Sequence, residues 1–196
     1  INLMKLLFPT VIHEIKFSNF DQDMCVKIAK QSKKEDSKGV EKSNIGGWQS
    51  EIFQFKKDDY FSDLISHTVG SHLRKNKIYK QIKLDFAGYW ININQPGASN
   101  NMHNHPNCDL SGVMWVKTNE KSGVIRFRHP NVFAEQTSLD FYDEDFAEKN
   151  NAYPGYWLTT NPGDGIIFPS HLEHWVEQNK STEDRISISF NIRLRS

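Results

Sequence analysis

Polar and apolar side chains alternate without interruption through residues 185–194, RISISFNIRL. Because successive side chains of a β-strand point to opposite faces, this stretch predicts a strand with one apolar and one polar face. If the apolar face packs on helices, the polar face lines the inside of a barrel, where Arg185 needs an anionic partner because it cannot lose its proton. The alternative is an ordinary half-exposed strand with its polar side in water.

The sequence upstream of this strand is also rich in β-structure signals. From residue 83 onward, short apolar or alternating segments are separated by turn residues. We predict six further strands there, at residues 83–94, 110–117, 124–128, 156–159, 165–168 and 174–178. An apolar run at residues 6–12, broken by Pro9, predicts an edge strand or an extended lead-in.

Two helices are predicted before the strands. Met24 and Ile28 follow Phe20 at helical spacing, which predicts a helix over residues 19–31 that begins at the capping pair of Ser18 and Asp21. A second apolar stripe predicts a helix that runs to about residue 75, with its N-cap at residue 58, an aspartate.

These elements predict a mainly β protein with flanking helices, of the α+β class. Helices in residues 1–80 would pack as a buttress on one sheet of a β-sandwich or barrel formed by residues 81–196. A chain of 196 residues suits one domain with one buried core.

Charge and composition narrow the functional classes. The 24 basic and 24 acidic side chains give a formal net charge of zero, so the charge does not support a nucleic-acid partner, and we expect no membrane partner. Cys25 and Cys108 are too few for a disulfide framework, and no basic-then-apolar leader opens the sequence. We therefore expect a cytoplasmic protein.

Histidines form two close groups in the sequence. His103 and His105 stand two residues apart, which on an extended segment directs both imidazoles to the same side. His174 opens a later predicted strand and is the natural third ligand, since facial coordination leaves positions open for substrate and oxygen. We do not assign nearby His171 to the metal. Surface loops that happen to collect histidines are the alternative explanation.

Position favours the barrel interpretation of the last strand, because Arg185 lies eleven residues after His174. The run from His174 to Arg185-Ile186-Ser187 resembles the distal histidine and Arg-x-Ser pair of 2-oxoglutarate/Fe(II) oxygenases. Upstream, Asn92-Ile93-Asn94-Gln95-Pro96-Gly97 resembles the Asn-x-Tyr-x-x-Gly segment of their AlkB-type branch. This resemblance implies that Arg185 and Ser187 bind the far carboxylate of 2-oxoglutarate and that Asn92 and Asn94 also contact it.

A more specific resemblance covers nearly the whole chain. Residues 7–10 (LFPT), 43–50 (SNIGGWQS), 103–106 (HNHP), 110–113 (LSGV) and 168–191 are similar to a family of small 2-oxoglutarate/Fe(II)-dependent oxygenases from marine bacteria and phages. The implied fold is the double-stranded β-helix, a cupin-like jelly roll. His105 stands where most of the superfamily carries aspartate, and three neutral imidazoles would leave Fe(II) its full double charge. Asp109 is a reserve carboxylate ligand.

The resemblance implies an Fe(II)- and 2-oxoglutarate-dependent dioxygenase that hydroxylates an unidentified small molecule or peptide and releases succinate and CO2. No catalytic acid or base is implied beyond the metal ligands. One alternative is a cupin-type dioxygenase or isomerase without 2-oxoglutarate, since Gly97-x5-His103-x-His105-x3-Asp109 resembles the first cupin motif with Asp in place of Glu. Such an enzyme would not need the Arg185-x-Ser187 pair. A non-catalytic β-sandwich binding protein is a further alternative.

Three secondary hypotheses concern aromatic and basic residues. Residues 131–155 carry several aromatics among many acids, and we interpret Phe141 and Tyr142 as parts of a lid over the substrate pocket. Trp115 is a candidate neighbour of the cosubstrate, although a core position is more common for an aromatic residue there. Arg126 and Arg128 share a strand face and are either carboxylate contacts or, more simply, solvated side chains.

Overall fold

The computed structural model describes residues 9–76, 82–131 and 141–195, which form two antiparallel sheets and three helices. The six-stranded sheet contains, in spatial order, β1 (His13–Lys16), β9 (Asp164–Pro169), β6 (Leu110–Lys117), β11 (Arg185–Arg195), β4 (Lys83–Asn94) and β3 (Trp48–Gln49). The five-stranded sheet contains β2 (Asn44–Ile45), β5 (Ser99–His103), β10 (His174–Val176), β7 (Ile125–Arg128) and β8 (Gly155–Leu158). The helices are α1 (Gln22–Glu35), α2 (Tyr60–Asn76) and α3 (Glu144–Asn150).

Strand β11 lies in the middle of the six-stranded sheet, between β6 and β4. Its apolar side chains belong to one core cluster with residues of α1 and α2; these side chains are Ile186, Ile188, Phe190 and Ile192. The prediction that the helices pack on one sheet is therefore confirmed. Full burial of each such side chain stabilises the fold by about 1.5–3 kcal/mol. The polar side chains of β11 from Arg185 to Asn191 consequently face the other sheet.

Close packing in this core depends on Gly112 in β6. The ring of Phe190 lies over this glycine, and a Cβ added there would stand 2.2 Å from a ring carbon and 2.9 Å from the carbonyl oxygen of Ile166. Strand β6 can therefore accept the phenylalanine only where it has no side chain. A second cluster, which includes Trp115 and Phe168, fills the space nearer the five-stranded sheet.

Both predicted helices exist, with different first residues. Helix α1 begins after Asp21, whose carboxylate accepts a hydrogen bond from the backbone of Met24, and it extends to Glu35 rather than ending at residue 31; Ser18 lies in the preceding turn. The cap of α2 is Asp59, not Asp58, because Asp59 accepts the backbone N–H of Ser62 at 3.0 Å. Adjacent aspartates are equivalent in sequence, and only geometry distinguishes them.

The predicted strands from residue 83 onward are confirmed within a few residues, and the N-terminal part differs more. The edge strand β1 begins at His13; residues 9–12 are not in a strand, and residues 6–8 lie outside the described ranges. Strands β2, β3 and β5 were not predicted, and two of them lie within the supposed helical buttress. Two-residue strands are too short to show an alternation, so no sequence pattern signals them.

Helix α3 occupies part of the segment 131–155, to which the proposed lid residues belong. Asp143 caps it by accepting from the backbone of Asp145 and Phe146. Among the helices of the described ranges, none is long and apolar enough to cross a membrane.

Candidate active site

The three predicted histidines lie together between the sheets. His103, the last residue of β5, is directly opposite His174, the first residue of β10, so the ladder places both imidazoles on the same face. His105 follows two residues later, where its backbone N–H donates to the carbonyl oxygen of Ser170 at 2.9 Å. The ring centroids are 4.3 Å apart for His103 and His174, 5.1 Å for His103 and His105, and 5.0 Å for His105 and His174.

Hydrogen bonds indicate which ring nitrogen of His103 and of His174 is free to bind a metal ion. Nδ1 of His103 lies 2.7 Å from the carbonyl oxygen of Asn101, and Nδ1 of His174 lies 2.9 Å from that of Leu172. A carbonyl only accepts, so both Nδ1 atoms carry the proton and both Nε2 atoms keep a lone pair. The candidate ligand atoms of the three histidines all lie within 4.8 Å of one another, which suits a shared metal ion.

Burial keeps all three imidazoles neutral at physiological pH. It lowers the pKa of His103, lowers that of His105 to about 4 and lowers that of His174 to about 3, with neighbouring histidines adding to the last two shifts. Only the neutral ring can donate electrons to a metal. In the described part of the chain, this group contains no carboxylate.

The other candidates near the histidines lie elsewhere. Asp109 is exposed, and its carboxylate accepts the backbone N–H of Leu194 at 2.7 Å, so this reserve ligand does not join the group. Cys108 is half-buried, and His171 is exposed.

A cavity of about 810 Å³ joins the histidines to the polar face of the six-stranded sheet. Its walls include every predicted cosubstrate residue: Arg185 and Ser187 from β11, and Asn92 and Asn94 from β4. The strand register explains this meeting, because Arg185 is paired with Asn94 and Ser187 with Asn92. The sequence-based prediction that the polar face of β11 looks into the barrel is thus confirmed.

Arg185 is a buried cation without a carboxylate partner among the described residues. Its side chain is 2% exposed; Nη1 donates to the carbonyl oxygens of Ser122 and, at 3.0 Å, of Glu177. Nη2 is buried and has no hydrogen-bond partner in the structure. Desolvation lowers the pKa of Arg185 to about 10, which still leaves it charged. A buried, unsatisfied guanidinium beside a cavity is a site for an anion.

The two asparagines have protein partners. Asn92 donates to Ser189 Oγ at 3.0 Å, and Asn94 donates to Asn100 Oδ1 at 3.2 Å. Trp115, opposite Ser187 in the β6–β11 ladder, both lines the cavity and packs in the smaller core cluster. The core interpretation of Trp115 is confirmed, and its place beside the cosubstrate stays a prediction.

Arg126 and Arg128 both pair with glutamates of the protein. Arg126 pairs with Glu177 and lies over the ring of Trp157, with 5.1 Å from its guanidinium carbon to the ring centroid. Arg128 pairs with Glu173 at 3.2 Å. Both arginines are partly exposed, and neither lines the histidine cavity.

The lid residues also lie away from this cavity. Phe141 is 88% exposed, and Tyr142 lines a second cavity of about 650 Å³ together with Phe146. Neither residue lines the histidine cavity in the structure, and the lid interpretation of these two aromatics stays a prediction. Residues 132–140, the rest of the proposed lid, lie outside the described ranges.

Sequence reasoning missed the partners of His105. Its Nδ1 lies 2.8 Å from Ser111 Oγ and 2.9 Å from Asn191 Oδ1. Asn191 belongs to the polar alternation of residues 185–194, so that pattern could have indicated an inward-facing position. No local signal marks Ser111 as a neighbour of a histidine.

Comparison with known families agrees with this geometry. Residues 88–191, just over half of the chain, match the family described as "Putative 2OG-Fe(II) oxygenase", and this segment contains all three histidines and Arg185. The chain belongs to this oxygenase family. No curated protein matches it in sequence.

Solved structures of 2-oxoglutarate enzymes share the fold of this family member. A prolyl-4-hydroxylase from Pseudomonas putida superimposes with a TM-score of 0.62 at 13% identity, covering 95% of this chain and 94% of that one. The viral collagen prolyl hydroxylase of Paramecium Bursaria Chlorella virus-1 gives 0.60 at 14% identity, with 94% and 96% covered. SnoK, an alpha-ketoglutarate-dependent carbocyclase from nogalamycin biosynthesis, gives 0.64 at 13% identity, with 95% and 80% covered. At these identities the similarity establishes the double-stranded β-helix fold.

The residues of this oxygenase family member fit the cofactors that the family implies. Three neutral imidazoles with convergent nitrogens suit Fe(II), and a buried, unsatisfied guanidinium suits a dicarboxylate. Both lie in the same cavity, which has room for an organic acid beside a metal ion.

Proposed function

We propose that this protein is an Fe(II)- and 2-oxoglutarate-dependent dioxygenase that hydroxylates a small-molecule or peptide substrate. One oxygen atom of O2 enters the substrate as a hydroxyl and the other enters succinate, while 2-oxoglutarate loses CO2. The predicted cytoplasmic location belongs to the same proposal. Family membership supports this reaction, and the position of Arg185 is the observation that carries it.

The argument from Arg185 is electrostatic. A guanidinium taken out of water loses several kcal/mol of solvation, and here two carbonyl oxygens offset only part of that cost. A carboxylate placed at the unpartnered Nη2 would supply the missing charge and hydrogen bond. Because Arg185 lines the cavity of the histidines, that carboxylate would belong to a molecule held next to the metal.

Each residue of the site has a defined task in this proposal. His103, His105 and His174 would hold the iron, and three protein ligands would leave coordination positions open for 2-oxoglutarate and oxygen. Arg185 and Ser187 bind the far carboxylate of 2-oxoglutarate, and Asn92 and Asn94 lie beside it on β4. Iron and 2-oxoglutarate together supply the activation of O2, so the protein needs no side-chain acid or base.

The apolar part of the wall restricts water. Trp115 and Ile125 line the cavity near the cosubstrate residues, and Trp90 lies edge-on to His105 with ring centroids 5.4 Å apart. Exclusion of water from the cavity would strengthen the electrostatic interactions of Arg185 with a bound carboxylate. The cavity lining also includes the exposed residues Lys42 and Glu51, so a substrate there would meet one positive and one negative side chain.

Titration of the anaerobic Fe(II) protein with 2-oxoglutarate tests the proposal. We expect the weak visible charge-transfer band that accompanies chelation of the keto acid to iron, and succinate formation once oxygen is admitted. Arg185→Ala should require far more 2-oxoglutarate to develop the band. Arg193→Ala is the matched control, because Arg193 lies on the same strand and pairs with Asp85 outside the cavity.

The same titration separates the alternatives. Iron binding without a band at any 2-oxoglutarate concentration would favour the cupin-type enzyme, which has no use for Arg185. A protein that binds no Fe(II) would be a non-catalytic binding module. Either result would refute the proposed reaction.

A further inference from the structure

The hydrogen-bond partners of His105 differ in kind from those of the other two histidines. Backbone carbonyls receive the Nδ1 protons of His103 and His174, whereas two side chains, Asn191 and Ser111, contact Nδ1 of His105. A substitution cannot remove a backbone carbonyl, but it can remove a side chain. The orientation of His105 can therefore be tested by mutation.

These partners belong to a hydrogen-bonded network around two buried serines, Ser111 and Ser170. Ser111 Oγ lies 2.8 Å from Asn191 Oδ1 and 2.8 Å from Ser170 Oγ. If Ser111 donates to Asn191 and accepts from Ser170, its remaining lone pair and Asn191 Oδ1 both face Nδ1 of His105 as acceptors. That arrangement requires a proton on Nδ1 of His105.

The sheet holds this network in place. Ser111 on β6 and Asn191 on β11 are direct partners in the central ladder of the six-stranded sheet, and both Ser111 and Ser170 are fully buried. Their positions are thus set by strand pairing before any metal binds. They form a preformed support for the histidine that replaces the usual aspartate.

We propose that Asn191 and Ser111 are positioning residues that hold His105 as its Nδ1–H tautomer and direct its Nε2 lone pair toward His103 and His174. The inference deepens the proposed function, but the tautomer is a property of the metal-free protein and can be measured without iron or 2-oxoglutarate. Since both partners are neutral, they support a neutral imidazole ligand rather than one made more basic by a carboxylate.

The first test is nuclear magnetic resonance of the ring nitrogens in ¹⁵N-histidine-labelled, metal-free protein near neutral pH. In the wild type, we expect a protonated Nδ1 and an unprotonated Nε2 for His105. In Asn191→Leu, the signal should shift toward the Nε2–H tautomer that a histidine side chain favours in water. A wild-type His105 with its proton on Nε2 would overturn the proposal.

The second test is the affinity for Co(II), measured by competition with a chelator. Loss of a partner that orients a metal ligand weakens metal binding by about 10–100-fold, which we expect for Asn191→Leu and for Ser111→Ala. Asn191→Asp should bind Co(II) at least as tightly as the wild type, because a carboxylate accepts the same proton and raises the basicity of His105. Equal affinity in the wild type and Asn191→Leu would contradict the proposal.

A matched control distinguishes positioning from general destabilisation. Ser62 in α2 is also a buried serine whose hydroxyl bonds to a side-chain oxygen, that of Asp59 at 2.7 Å, and it does not line the cavity. Ser62→Ala should keep the wild-type affinity for Co(II). If it loses as much affinity as Ser111→Ala, the effect is structural and the inference fails. A wild type with the Nδ1–H tautomer and tight Co(II) binding, but no response to 2-oxoglutarate, would refute only the proposed function.

Discussion

We expect Arg185→Ala to remove the preference of this protein for 2-oxoglutarate over 2-oxobutyrate. The two acids share the keto acid end that chelates a metal, and 2-oxobutyrate lacks the second carboxylate. Arg185 is 2% exposed, and its Nη2 has no hydrogen-bond partner. The difference between the two ligands therefore reports directly on this guanidinium.

The expected size of the effect follows from burial. Removal of one partner of a buried, hydrogen-bonded charge pair costs about 2–5 kcal/mol of binding free energy. At about 1.4 kcal/mol for each factor of ten, the wild type should prefer 2-oxoglutarate by about 30-fold or more. In the variant, the ratio of the two dissociation constants should approach one.

Isothermal titration calorimetry of the Co(II)-loaded protein with each acid measures this ratio. The control Arg193→Ala, on the same strand but outside the cavity, should keep the wild-type preference. An equal loss of affinity for both acids in Arg185→Ala would show that the arginine supports the cavity rather than the carboxylate. An unchanged preference would refute the role of Arg185 altogether.

Three further predictions concern pH, packing and the segment around α3. The metal-free protein should lose stability as pH falls from about 6.5 toward 4. In the folded protein, His105 with a pKa of about 4 and His174 with a pKa of about 3 stay unprotonated over this range, whereas in the unfolded chain both bind protons. Equal urea midpoints at pH 7.5 and pH 5 would contradict this prediction. Gly112→Ala should lower the unfolding free energy by about 1–3 kcal/mol through overpacking against Phe190, and Phe190→Leu should restore part of the loss in a double-variant denaturation series. Phe141→Ala should leave succinate formation without substrate unchanged, since the side chain is 88% exposed and away from the cavity, and an increase would support a lid.

The sequence predicted β11 well because the signal was local. The alternation in residues 185–194 depends only on neighbouring residues, and it correctly separated the core face from the cavity face. The short spacing of His103 and His105 was similarly sufficient to predict that their imidazoles lie close together. The resemblance to known oxygenases then indicated that β11 and the histidines belong to one site. Neither pattern indicates this by itself.

The errors arose where several sites were equivalent in sequence. Asp58 and Asp59 are both suitable caps, and only the second reaches the backbone of Ser62. Asp109 lies close in sequence to His105, yet its carboxylate bonds to the backbone of Leu194. Distance along the chain does not give direction in space, so a reserve ligand chosen by spacing can face away from the metal site.

Local order along the chain thus accounts for most of the strands after residue 83, the two N-terminal helices and the closeness of His103 to His105. Strand pairing across long distances accounts for the rest. The pairing of β5 with β10 places His103 opposite His174, and the pairing of β6 with β11 places Ser111 opposite Asn191. These contacts join residues some 70 to 80 positions apart, and hydrophobic patterns set the faces of strands but not their partners. Only the folded sheets bring three neutral imidazoles and an unsatisfied arginine into one cavity.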